Sequence, residues 1–142
     1  MPTVESEIPI RADRKAVWNT LADAESYGEW NPFVTEVEGS IERDEQLGVR
    51  IEPPGGRAIR LRARVTVVEP QGRIVWIGRY FLPNLFDTRH EFIVEPATDG
   101  VRLLQRGTYA GALRPLFFHR DATLEGFEAS NEALKRRVES EP

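Results

Sequence analysis

The 142-residue chain is long enough for one domain with a substantial core, burying roughly 70% of the surface its unfolded form exposes. With 40% apolar and 30% charged residues it reads as globular, and the lack of Cys excludes disulfides, thiol nucleophiles and zinc–thiolate sites. A net charge of −4 gives nucleic-acid binding little support despite 17 Arg against two Lys, and no stretch longer than seven residues lacks a charge, too short to cross a bilayer.

Repeats and Ser/Gly-rich linkers are absent, so a single domain over 1–142 is expected. Met1 to Ile10 carries Glu5 and Glu7 and lacks a basic-then-apolar signal pattern, which makes the cytoplasm the expected location. Residues 3–10 alternate and read as a first strand. From Asp13, a suitable N-cap, Val17, Leu21 and Ala24 recur at helical spacing, and the helix is expected to end before Gly28. Trp30-Asn31-Pro32-Phe33 reads as a connection, because the residue before a proline avoids the helical region.

A succession of strands follows, at 34–43, 47–52, 59–67, 73–82, 86–95 and 101–110. Pro53-Pro54-Gly55-Gly56, Gln71-Gly72, Pro83-Asn84 and Asp99-Gly100 turn the chain between them. The clearest alternation sets Ile59, Leu61, Ala63, Val65 and Val67 against Arg60, Arg62, Arg64 and Thr66, which means a sheet with one wet face. The Arg row is read as a solvated face paired with nearby Glu. From Leu116 to Val138 the spacing is helical again: Phe117, Leu124, Phe127, Leu134 and Val138 form a stripe that Arg120 and Asn131 interrupt. A single amphipathic helix of about six turns is expected.

The fold class is therefore α+β: a curved antiparallel sheet of six to seven strands around a long C-terminal helix, with short helices after the first strand. A strongly twisted sheet curls as it grows, and one helix laid into the curl leaves an apolar space, the default ligand site. Val17-Trp18 and Trp30-Asn31-Pro32-Phe33 within residues 8–33 resemble the opening of the START-like, or SRPBCC, superfamily with its helix-grip fold. Trp76-Ile77-Gly78, His90-Glu91-Phe92, Gly107 to Gly111 and Asn131-Glu132-Ala133-Leu134 are similar to later segments of that family. The resemblance implies a cavity for an apolar molecule. It spans polyketide cyclases and aromatases, lipid and hormone carriers, and co-chaperones. Many relatives carry a carboxylate in the strand near Gly107, where this chain has glycine.

Polar side chains on inward faces are the candidates for chemistry. His90 shares its row with Phe86, Thr88, Phe92 and Val94; Gln105 and Tyr109 share theirs with Val101, Leu103 and Gly107. Trp76 and Tyr80 fall in the row of Ile74 and Gly78. The expected ligand-binding set is Phe33, Trp76, Tyr80, His90, Gln105, Tyr109, Phe127 and Asn131. Each polar member could equally tie helix to sheet, since a buried polar group left unpaired costs about 1–3 kcal/mol. The first reading is a carrier of a small hydrophobic or aromatic ligand. The second is a cyclase with His90 as acid/base, and the third a protein-interaction domain.

No nucleophile triad, phosphate loop or metal-ligand spacing is present, so neither cofactor nor metal is expected. The tip Tyr80-Phe81-Leu82-Pro83-Asn84-Leu85-Phe86 is apolar for a turn and is open to three uses: a gate, a membrane or partner surface, or core. A homodimer is left open.

Overall fold

The structure, a computed structural model, describes residues 2–140. Met1, Glu141 and Pro142, the ends of the expected 1–142 domain, lie outside the described residues. Its elements are β1 (Thr3–Ile10), α1 (Arg14–Ala22), α2 (Tyr27–Trp30), β2 (Val34–Glu38), β3 (Gln46–Ile51), β4 (Ile59–Glu69), β5 (Arg73–Arg79), β6 (Asp87–Ala97), β7 (Gly100–Ala110), α3 (Arg114–Phe117) and α4 (Arg120–Ser140). One seven-stranded antiparallel sheet has the order β1-β7-β6-β5-β4-β3-β2. Consecutive strands pair as a meander, and β1 closes the edge by pairing with β7, from Thr3 opposite Thr108 to Ile10 opposite Val101.

The sheet curls with register shifts at Val65/Val67 in β4 and Val34/Glu36 in β2, where an extra residue bends the strand. Its concave face carries Val4, Ile8, Leu61, Val65, Ile74, Trp76, Phe92, Val94 and Leu103, all buried, and α4 lies across it, chiefly on β1. The period-two reading of 59–67 holds, with Leu61, Ala63 and Val65 buried and Arg60, Arg62 and Arg64 exposed.

Four local expectations are corrected. The first helix ends at Ala22, and a 3-10 turn (Ala24–Ser26) leads into α2, which contains Gly28. Buried polar bonds redirect the chain there: Tyr27 Oη donates to the Leu21 carbonyl at 2.7 Å, and Trp30 Nε1 donates to Ser26 Oγ at 3.1 Å. The strand expected over 34–43 stops at Glu38, because Gly39 turns the chain with a φ of 111°. That expected over 73–82 stops at Arg79, so Tyr80 lies beyond the ladder.

The fourth correction matters most for function. The expected C-terminal helix is two, broken at Phe118, whose backbone is extended (φ −108°, ψ 124°). Neighbouring residues of one continuous helix project about 100° apart. The break lets Phe117 and Phe118 both reach the cavity beneath them. The remaining α4 has 21 residues and is about 31 Å long. No described helix is long and apolar enough to cross a membrane.

Candidate functional site

The Trp-Asn-Pro-Phe segment places the first wall. Asn31 Oδ1 accepts the amide N–H groups of Phe33 and Val34, both at 2.9 Å, and the Asn31 N–H closes the last turn of α2 on the Tyr27 carbonyl. This local turn swings Phe33 against α4 at Gly126, where a Cβ would stand 2.2 Å from the ring. Phe33 meets Phe127 edge to face, with centroids 5.5 Å apart.

The sheet supplies the floor. Trp76 and His90 are direct cross-strand partners and stack, with centroids 5.3 Å apart and an interplanar angle of 16°. Phe92 tilts against His90 at 4.7 Å and Phe127 meets it edge-on at 5.4 Å, so the imidazole is boxed in by aromatic rings. On β7, Gly107 lies opposite His90. A Cβ at Gly107 would stand 2.5 Å from Tyr109 Oη and 2.8 Å from Phe127 Cζ, so the missing side chain is the space those two rings occupy. Tyr109 then stacks on Phe118 at 4.6 Å and on Phe86 at 6.1 Å.

Between floor and helices lies a cavity of about 30 Å³, room for about two water molecules. Phe33, Trp76, His90 and Tyr109 of the expected set line it, together with Leu61, Phe86, Thr88, Phe117, Phe118 and Thr123. Beside it an outer pocket of about 450 Å³ opens between the Pro53–Gly56 turn and α3. Tyr80 lines that outer pocket, and Phe117, touching Tyr80 at 4.8 Å, belongs to the walls of both.

Gln105, Asn131 and Phe127 are not among the lining residues. Gln105 Nε2 donates to Asn131 Oδ1 at 2.8 Å and to Ser130 Oγ at 3.0 Å, and Asn131 Nδ2 donates to Ser6 Oγ at 3.2 Å. This buried chain ties α4 to β7 and β1.

Two polar atoms near the cavity floor have no hydrogen-bond partner, His90 Nε2 and Gln105 Oε1. Burial lowers the His90 pKa to about 4, although the Gln105 amide and the Glu91 charge favour the protonated form. The imidazole is therefore neutral at pH 7. Burial likewise pushes the Tyr109 phenol up, so it stays protonated. The site is an aromatic box with a neutral nitrogen on its floor and no charged group among the residues that line it.

Sequence reasoning missed Thr88 and Phe86 only in emphasis, since both stand in the alternating row of His90. Phe118 and Thr123 carried no periodic signal, because they reach the site through the helix break.

The architecture is that of a helix-grip protein with an internal apolar site. Residues 1–139 match the family described as polyketide cyclase / dehydrase and lipid transport, and the chain belongs to this family. Solved structures of the same fold include protein MLL2253 from Mesorhizobium loti, with a TM-score of 0.76, 16% identity and 99% of each chain covered. Protein CV1439 from Chromobacterium violaceum matches with a TM-score of 0.78 at 15% identity, over 99% of this chain and 100% of that one. Protein jhp0584 from Helicobacter pylori matches at 0.81 and 17% identity, over 96% and 88%. A comparison with curated proteins finds no match.

Proposed function

We propose that the protein binds a small, largely apolar or aromatic molecule carrying one hydrogen-bonding group, in the cavity between sheet and helices. The observation that carries this reading is the aromatic box itself, with His90 in its wall as a buried imidazole whose Nε2 meets no partner at hydrogen-bond distance and interacts only with the Gln105 side chain. Apolar burial supplies affinity at roughly 25 cal/mol per Å² before ordering costs, and the imidazole fixes orientation. The cavity is smaller than any such ligand, so binding requires Phe117 and its short helix to move outward and join the inner and outer pockets. A pKa of about 4 leaves His90 a weak base, which favours a hydrogen-bonding role over proton shuttling.

The test is a titration of purified protein with 2-naphthol and with naphthalene, read by fluorescence of Trp76 stacked on His90. Native mass spectrometry of unwashed protein would run in parallel. The hydroxyl should favour 2-naphthol about two- to ten-fold, and His90→Phe should remove that preference while naphthalene binding persists. Failure of both probes to bind, or an undiminished preference for 2-naphthol in the variant, overturns the reading.

A further inference from the structure

Nine arginines project from β3 to β7, and among the described residues seven of them have a carboxylate within 4.0 Å. Arg62 and Arg79 are the exceptions, and they stand directly opposite one another across β4 and β5. Like charges in that position destabilise a sheet. Asp87, the partner of Arg79 on its other side, directs its carboxylate to the Asn84 N–H at 3.2 Å instead. The two exposed guanidinium groups line a groove of about 480 Å³ on the outer face of the sheet, beside Arg64, Ile77, Phe81 and Pro83. In a chain of net charge −4, this is a local cationic surface in which Arg62 and Arg79 have no carboxylate within 4.0 Å among the described residues.

Its rim is apolar. Phe81 and Leu82 are 83% and 53% exposed, and Leu116 on the adjoining α3 is 67% exposed; these are the exposed large hydrophobic side chains of the described residues. All three lie at one end of the molecule. The Ala112 and Leu113 N–H groups donate to the Asn84 and Leu85 carbonyls at 2.9 and 2.7 Å, fastening the tip of the β5–β6 turn to the start of α3. Phe81 itself sits at a φ of 63°, a left-handed conformation that bulky residues rarely adopt, so the fold holds this ring outward against local preference.

The geometry points to a docking surface for an anionic lipid bilayer, with Phe81 and Leu82 entering the interface and Arg62 and Arg79 receiving lipid phosphates. An acidic peptide laid in the groove would use the arginines and Phe81 but leave the exposed Leu82 beside it untouched, whereas a bilayer interface would take up both apolar side chains of the turn. The surface is separate from the inner cavity, none of whose lining residues it uses, and it stands whether or not naphthol binds there.

Flotation of the full chain with phosphatidylcholine vesicles, with and without roughly one-third phosphatidylglycerol, tests this. The protein should float with the anionic vesicles only and be released by high salt. Arg62→Gln and Arg79→Gln should each weaken partitioning about five-fold, and Phe81→Ser with Leu82→Ser should abolish it. Arg79→Gln should also leave the melting temperature unchanged or raised, because it relieves the like-charge pair. Absence from anionic vesicles, unchanged partitioning of the variants, or retention on an immobilised poly-glutamate peptide without vesicle binding each overturns the proposal.

Discussion

At the residue scale, His90 is the side chain on which pH acts most directly. Its folded pKa of about 4 lies below the roughly 6.5 of an unfolded histidine, so between those values the unfolded chain binds the extra proton. Stability is therefore unpenalised above about pH 6.5 and falls as the pH drops toward 4, by an amount on the order of 3 kcal/mol in total. Urea unfolding at a series of pH values should show this slope in the native chain. His90→Phe should lose the part of it above about pH 4.5, and an identical slope in both proteins would mean that the imidazole is not held neutral. Asn31 illustrates a residue whose role was only half legible. The proline after it announced a connection, but the two amides accepted by its side chain, which aim Phe33 at α4, follow from a turn geometry that spacing does not encode.

At the element scale, the outer face of the sheet holds a feature that alternation alone hides. Glu91 sits on the face expected to be wet, yet it is only 2% exposed. Arg89 at 2.8 Å, Arg73 at 3.1 Å and Arg106 at 3.2 Å surround it from β6, β5 and β7. Burial alone would raise its pKa, and the three guanidinium groups, led by Arg89, overcome burial and hold it below the usual carboxylate range. Its stabilising contribution is thus present at neutral pH and is lost as the pH falls from the ordinary carboxylate range through that lowered value. Glu91→Gln should destabilise the protein by about 2 kcal/mol, less than the roughly 3–5 kcal/mol of a fully buried broken pair because the arginines remain partly in water. A loss below about 0.5 kcal/mol in urea unfolding would reduce the cluster to ordinary surface pairing. The Arg row on β4 shows the same division: Arg60 and Arg64 find Glu36 and Asp44, as expected, while Arg62 does not.

At the scale of the whole molecule, rigidity and access are divided between two regions. The β6–β7 ladder and the Gln105–Asn131–Ser6 tie form the fixed part, whereas α3 is a single short turn whose described residues are all at least partly exposed. Hydrogen exchange should be slowest in β6, β7 and the middle of α4 and fastest in residues 80–86 and 111–118. Binding of 2-naphthol should slow exchange in 111–118 and leave β1 unchanged. Protection confined to the outer groove instead would remove Phe117 as the moving part.

By itself, the sequence determined the sheet, its wet and dry faces, the long covering helix and the row that points His90 inward. Those features follow from periods of two and 3.6 residues, and periodicity is a property of neighbours along the chain. Only the tertiary structure decided that β1 joins β7, that the final helix breaks at Phe118, and that the Gln105 amide nitrogen bonds Asn131 while Gln105 Oε1 and His90 Nε2 meet no partner at hydrogen-bond distance. It alone left Arg62 facing Arg79 without a carboxylate. These outcomes depend on which distant atoms come within a few ångströms once the sheet curls, and no spacing within a single segment carries that information.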